Sequence, residues 1–133
     1  MKPKVLLADD HAALREALGE LLEGETDLVG KVSDGRQLVE TAGRLCPDIV
    51  VTDIAMPEMS GLEAMRQLQA GGSTARFIVL TVDGDPRVAT EVMRAGASGY
   101  VFKHAAGEEL LDAIHAVMAG GTFLSRRVES GLP

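Results

Sequence analysis

Three aspartates, a threonine and a lysine each stand where an apolar run stops. Asp9 and Asp10 follow Val5-Leu6-Leu7-Ala8, Asp53 follows Ile49-Val50-Val51-Thr52, Thr81 closes Phe77-Ile78-Val79-Leu80, and Lys103 follows Gly99-Tyr100-Val101-Phe102. Asp53 passes at once into a loop punctuated by Pro57 and Gly61, so its carboxylate belongs at the end of a buried strand. Carboxylates that converge repel one another unless a cation sits between them. Hard oxygen ligands at a half-open site suit Mg2+, with Mn2+ as its substitute. A divalent ion there would neutralise an incoming phosphoryl group, which makes Asp53 a carboxylate nucleophile for phosphoryl transfer. Lys103 supplies a mobile point charge for Asp53 and then for a phosphoryl oxygen. Thr81 supplies a hydroxyl for another.

Convergence requires that the runs be parallel strands ending at one rim. The first run, residues 4–8, precedes Leu14, Ala17, Leu18, Leu21 and Leu22, whose spacing predicts a helix over Ala12–Glu23. Residues 28–32 read as a second strand, and Asp34-Gly35 opens a helix that Pro47 ends. Residues 48–53 and 62–70 form a third strand and helix, the latter closed by Gly71-Gly72. Residues 75–82 form a fourth strand, and Pro86 begins a fourth helix that runs to Ala95. Gly99–Phe102 and residues 108–118 complete five strands alternating with five helices. Right-handed crossovers then give a doubly wound α/β fold with a parallel sheet. Its ligands belong at the carboxyl ends of the strands.

The 133 residues make one domain, long enough to bury a core. A net charge of -7 argues against binding nucleic acid directly, because phosphate backbones are held by clustered Lys and Arg. The single Cys46 reads as a buried, inert thiol. No secretory leader or membrane span is expected, which makes the cytoplasm the default location. Residues 1–121 read as the folded domain and 122–133, with no period of their own, as the start of a linker.

Leu6-Leu7-Ala8-Asp9-Asp10-His11, Asp48 through Pro57, Ser60-Gly61-Leu62-Glu63, Leu80-Thr81 and Gly96 through Lys103 together resemble the receiver domain of bacterial two-component response regulators. Asp9-Asp10-His11, Gly99 through Lys103 and Ala119 through Ser125 most resemble its NarL/FixJ (LuxR-type) subfamily. The resemblance implies a flavodoxin-like five-stranded sheet of order 2-1-3-4-5. It implies a phosphoryl acceptor that assists its own phosphorylation and dephosphorylation, not a turnover enzyme. Asp53 is then the phospho-acceptor for a sensor histidine kinase. Asp10 is the direct Mg2+ ligand, Asp9 acts largely through water, and the backbone carbonyl of Ala55 joins Asp53 in the ligand set. Thr81 and Lys103 contact the phosphoryl group, and Tyr100 is the aromatic partner of Thr81 in the switch. Subfamily members carry a helix-turn-helix domain after such a linker, so DNA would be reached only through an effector domain outside these residues.

Phosphorylation would draw Thr81 inward, let Tyr100 follow, and reshape the face of helix four, strand five and helix five. Arg87, Glu91, Arg94, Glu109 and Asp112 are surface candidates on that face for a partner or homodimer. Ala55, Val82 and Asp83 flank the path of a hydrolytic water and are candidates for setting the lifetime of phospho-Asp53. Three other readings compete. A flavin binder would carry a Ser/Thr/Gly-rich loop where this chain has Asp9-Asp10-His11. An aspartate-nucleophile phosphatase would carry a second Asp where this chain has Ala55. A stand-alone or degenerate receiver would serve as an interaction or dimerisation module.

Overall fold

A computed structural model describes residues 2–82 and 85–125. The chain runs β1 (Lys4–Ala8), α1 (Ala12–Glu23), β2 (Asp27–Val32), α2 (Gly35–Leu45), β3 (Ile49–Asp53), α3 (Gly61–Ala70), β4 (Arg76–Thr81), α4 (Pro86–Arg94), β5 (Gly99–Phe102), a 3-10 turn (Lys103–Ala105), α5 (Ala106–Met118) and β6 (Phe123–Leu124). All strand pairings are parallel, in the order β2-β1-β3-β4-β5-β6.

Strand alternation divides the core. Val5, Leu7, Ile49, Val51, Ile78 and Leu80 pack with Leu18 and Leu22 of α1 and Leu110, Ile114 and Val117 of α5. Their neighbours in sequence, among them Leu6, Val50, Phe77 and Val79, pack on the other face against Leu38 of α2, Met65 of α3 and Val92 of α4. Both faces are therefore covered, which is why the strands read as unbroken apolar runs.

Short-range polar contacts start three of the helices. The Asp34 side chain accepts from the Gln37 amide, Ser60 from the Glu63 amide, and Asp85 from the Arg87 amide. At the C-terminus of α2, Cys46 takes a left-handed φ of 49° before Pro47, and its thiol is exposed and not buried as expected.

The sheet has six strands, not the five expected. Gly120, at φ 93°, turns the chain out of α5 into β6. The Phe123 amide then donates to the Ser98 carbonyl and the Ser125 amide to the Tyr100 carbonyl. Two residues are too few to carry a period-2 pattern, so the tail's sequence concealed this strand. Ser125 is fully buried, and its hydroxyl donates to Glu109 Oε1 at 2.6 Å. Glu109, expected on the surface of α5, is consequently buried at nine per cent exposure.

Candidate functional site

Parallel pairing aligns the strand ends. Thr52 of β3 lies beside Ala8 of β1, Asp53 beside Leu80 of β4, and Thr81 beside Phe102 of β5. The residues just beyond Ala8 and Phe102 therefore reach the rim where Asp53 stands. The loop after Asp53 folds back onto β3: the Ile54 amide donates to the Leu80 carbonyl and the Gly61 amide to the Ile54 carbonyl. A Cβ on Gly61 would lie 2.1 Å from the Asp53 carbonyl oxygen, so only glycine permits this approach.

Asp53 is three per cent exposed. Its Oδ1 accepts from the Ala55 amide at 3.2 Å, and its Oδ2 accepts from Lys103 Nζ at 2.7 Å. Lys103 Nζ also forms an ion pair with Asp9 Oδ2 at 3.4 Å. Asp9 is fully buried, with Oδ1 accepting the His11 amide at 2.8 Å. Its Oδ2 is a buried oxygen that, among the described residues, has that ion pair and no strong hydrogen-bond donor. Asp10, the more open carboxylate, has a side chain 32% exposed.

Burial pushes the Asp53 carboxyl above its ordinary value of 3.8, helped by the nearby Asp9 charge, while Lys103 and the Ala55 amide only partly pull it back. Burial works to lower Lys103, but Asp53 and Asp9 outweigh it and hold the ammonium above its ordinary 10.5. One ammonium is thus set against two buried carboxylates.

The expected set assembles in part at one point. Asp9, Asp10 and Asp53 converge with His11, one ligand atom from each lying within 4.8 Å of the others. Lys103 closes the group. Thr81 ends β4 at one per cent exposure, and Tyr100 is fully buried in the core beneath, 6.3 Å from Phe102 in an edge-to-face contact. Ala55 is exposed, and Val82 is 79% exposed immediately after Thr81. Asp83 lies outside the described residues. The sequence alone assigns His11 no role. Its only signal was a ring-nitrogen ligand type beside two aspartates at a strand end.

The residues fit a divalent cation. The buried Asp9 Oδ2 is ion-paired with Lys103 but, among the described residues, meets no strong hydrogen-bond donor, and carboxylate oxygens are the donors that Mg2+ and Mn2+ accept. Among the described residues, no helix is long and apolar enough to cross a membrane.

A family model described as the response regulator receiver domain matches residues 5–115. The nitrate/nitrite response regulator protein NarL of Escherichia coli (strain K12) is 36% identical over 123 residues, covering 91% of this chain and 57% of that protein. The crystal structure of a two-component response regulator of the LuxR family from Aurantimonas sp. SI85-9A1 superposes with a TM-score of 0.92 at 31% identity, covering 98% of this chain and 94% of that one. The isolated REC domain of RcsB from Salmonella enterica serovar Typhimurium, determined with phosphomimetic BeF3-, gives 0.91 at 25% identity with both chains covered completely. The chain spans little more than half the length of the curated relatives it matches. By the match over most of its length and the likeness to NarL, the chain belongs to the response regulator receiver domain family, in its NarL/LuxR group.

Proposed function

We propose that this domain takes a phosphoryl group onto Asp53 from the phosphohistidine of a sensor histidine kinase. The observation that carries the reading is the buried Asp53 carboxylate held 2.7 Å from Lys103 Nζ beside the buried carboxylate of Asp9. An Asp53 oxygen attacks phosphorus, the P–N bond breaks, and the imidazole leaves with its electron pair. The Lys103 ammonium moves from the carboxylate to a phosphoryl oxygen, so charge is matched before and after transfer. Thr81, at the end of the adjacent strand, contacts a second oxygen. Asp9, Asp10, Asp53 and the Ala55 carbonyl would hold Mg2+, or Mn2+ in its place. Such an ion would supply charge neutralisation for the phosphoryl group.

Phosphorylation adds about two negative charges and three acceptor oxygens. Thr81 and Tyr100 shift together in response, and the face formed by α4, β5 and α5 changes shape. Arg87, Glu91, Arg94 and Asp112 line that face for a homodimer or another partner. DNA is reached through a separate C-terminal domain that follows β6 in the chain, and the protein works in the cytoplasm. Ala55 and Val82, exposed beside Asp53 and Thr81, together with Asp83, set how long the phosphoryl group persists.

The test is incubation with acetyl phosphate and Mg2+, read by intact mass. The expected result is a gain of about 80 Da, one phosphoryl group, that requires both the ion and Asp53 and is lost in Asp53→Asn. No gain under any divalent ion would sink the reading.

A further inference from the structure

His11 is the residue before the first turn of α1, yet its side chain makes no capping hydrogen bond there. The ring turns toward the carboxylate pocket instead. Its Nδ1 lies 3.3 Å from Asp9 Oδ1, 3.3 Å from Asp10 Oδ1 and 3.2 Å from Lys103 Nζ. An ammonium has only N–H groups to offer, so Nδ1 accepts from Lys103 in the Nε2–H tautomer, whereas the two carboxylates take an Nδ1–H; in either form it is Nδ1 that faces the pocket. The backbone that carries the ring is anchored beside the pocket, because the His11 amide donates to Asp9 Oδ1 and the His11 carbonyl accepts the Arg15 amide at 2.9 Å. The pocket therefore presents three carboxylates and one imidazole nitrogen, one ligand atom from each within 4.8 Å of the others.

We infer that His11 Nδ1 is a nitrogen ligand of this pocket, so that the site selects divalent ions that accept imidazole, Ni2+ and Co2+ most strongly and Mn2+ less so, over Mg2+. The inference rests on the divalent-cation reading above and goes beyond it in naming the ligand that sets the choice of ion. Mg2+ keeps to oxygen and water, whereas affinity for mixed nitrogen and oxygen donors rises from Mn2+ through Co2+ to Ni2+. The opposing account is that His11 is a charge partner of Asp9 and Asp10. The two differ in what removing the ring does. Loss of a ligand weakens binding of the nitrogen-accepting ions alone, while loss of a positive charge strengthens binding of every divalent ion, Mg2+ included.

The experiment titrates Ni2+, Mn2+ and Mg2+ separately into the full chain and into His11→Gln by calorimetry. Pulsed electron paramagnetic resonance on the Mn2+-loaded forms is recorded alongside. The ring is largely exposed, its side chain 68% accessible, so the substitution leaves the core intact. Expected are a fall in Ni2+ affinity on the order of tenfold or more, a smaller fall for Mn2+, and Mg2+ affinity within about twofold. Expected too is a 14N coupling to Mn2+ that His11→Gln abolishes. Absence of that coupling in the unaltered chain, an equal change for all three ions, or a Ni2+ loss that follows His104→Gln or His115→Gln instead would overturn the inference while the cation site stands. Failure of the unaltered chain to bind any of the ions would overturn both.

Discussion

Lys103 and Asp53, 50 residues apart in sequence, meet at 2.7 Å across the carboxyl ends of β5 and β3. Both side chains are largely buried, at nine and four per cent exposure, so the Lys103 ammonium is the resident cation in a pocket of excess negative charge. Replacing Lys103 by Met leaves buried carboxylates uncompensated and should destabilise the ion-free domain by about 3 kcal/mol. The same change removes the competitor for a bound cation. The rise in Tm on adding Mg2+ should therefore be larger in Lys103→Met than in the unaltered chain. Thermal scans with and without the ion check this, and an equal rise in both would contradict it.

The raised Asp53 carboxyl makes a pH prediction whose sign follows from proton counting. Between the ordinary value of 3.8 and the higher folded value, the native state holds more protons than the unfolded chain. Stability contributed by Asp53 is therefore lost as pH rises through that window and is flat above it. The difference in unfolding free energy between the unaltered chain and Asp53→Asn, measured by urea titration without divalent ions, should fall over the window. A rise there would mean that Lys103 governs the group and burial does not.

Two glycines separate close approach from mere helix propensity. A Cβ at Gly61 would stand 2.1 Å from the Asp53 carbonyl oxygen and 2.9 Å from Thr52 Oγ1. Gly61→Ala should cost about 1–3 kcal/mol and slow phosphorylation by displacing Asp53. Gly43, exposed in α2 with nothing within 4 Å of its would-be Cβ, should give the opposite sign. Gly43→Ala is expected to stabilise by about 0.5–1 kcal/mol without changing the phosphorylation rate. Denaturant midpoints and acetyl phosphate kinetics on both variants decide.

The buried contact from Ser125 to Glu109 ties the tail to α5 at 2.6 Å. Ser125→Ala removes the donor and leaves a buried carboxylate short of one partner, a loss of about 1–3 kcal/mol. Hydrogen exchange should show the Phe123 and Ser125 amides, which bond to Ser98 and Tyr100, losing protection ahead of the rest of the sheet. Uniform loss across all strands would show that β6 unfolds only with the whole domain.

The chemistry-bearing residues were legible because alternation of strand and helix forces every strand to end at one rim. Asp9, Asp10, Asp53 and Lys103 needed only their places after apolar runs to be brought together. What escaped depends on contacts that sequence periodicity does not encode. The His11 ring meets the pocket through Asp9, Asp10 and a lysine 92 residues away. Burial of Glu109 is set by a serine 16 residues away. Exposure of Cys46 follows from a left-handed backbone at the end of α2, where the chain must turn before Pro47.

Strand β6 has a bearing on how these molecules behave in company. Gly99–Phe102 is entirely buried and almost entirely apolar, and without a neighbour on its outer side it would be a sheet edge offering unpaired amides and carbonyls to any passing strand. Two residues of tail occupy that edge in parallel register and end too soon to be a good template themselves. The tail thus guards against self-association through strand addition. A chain cut before Phe123 would keep its acidic pocket and still be prone to precipitate, so loss of solubility in such a truncation should not be mistaken for loss of the signalling site.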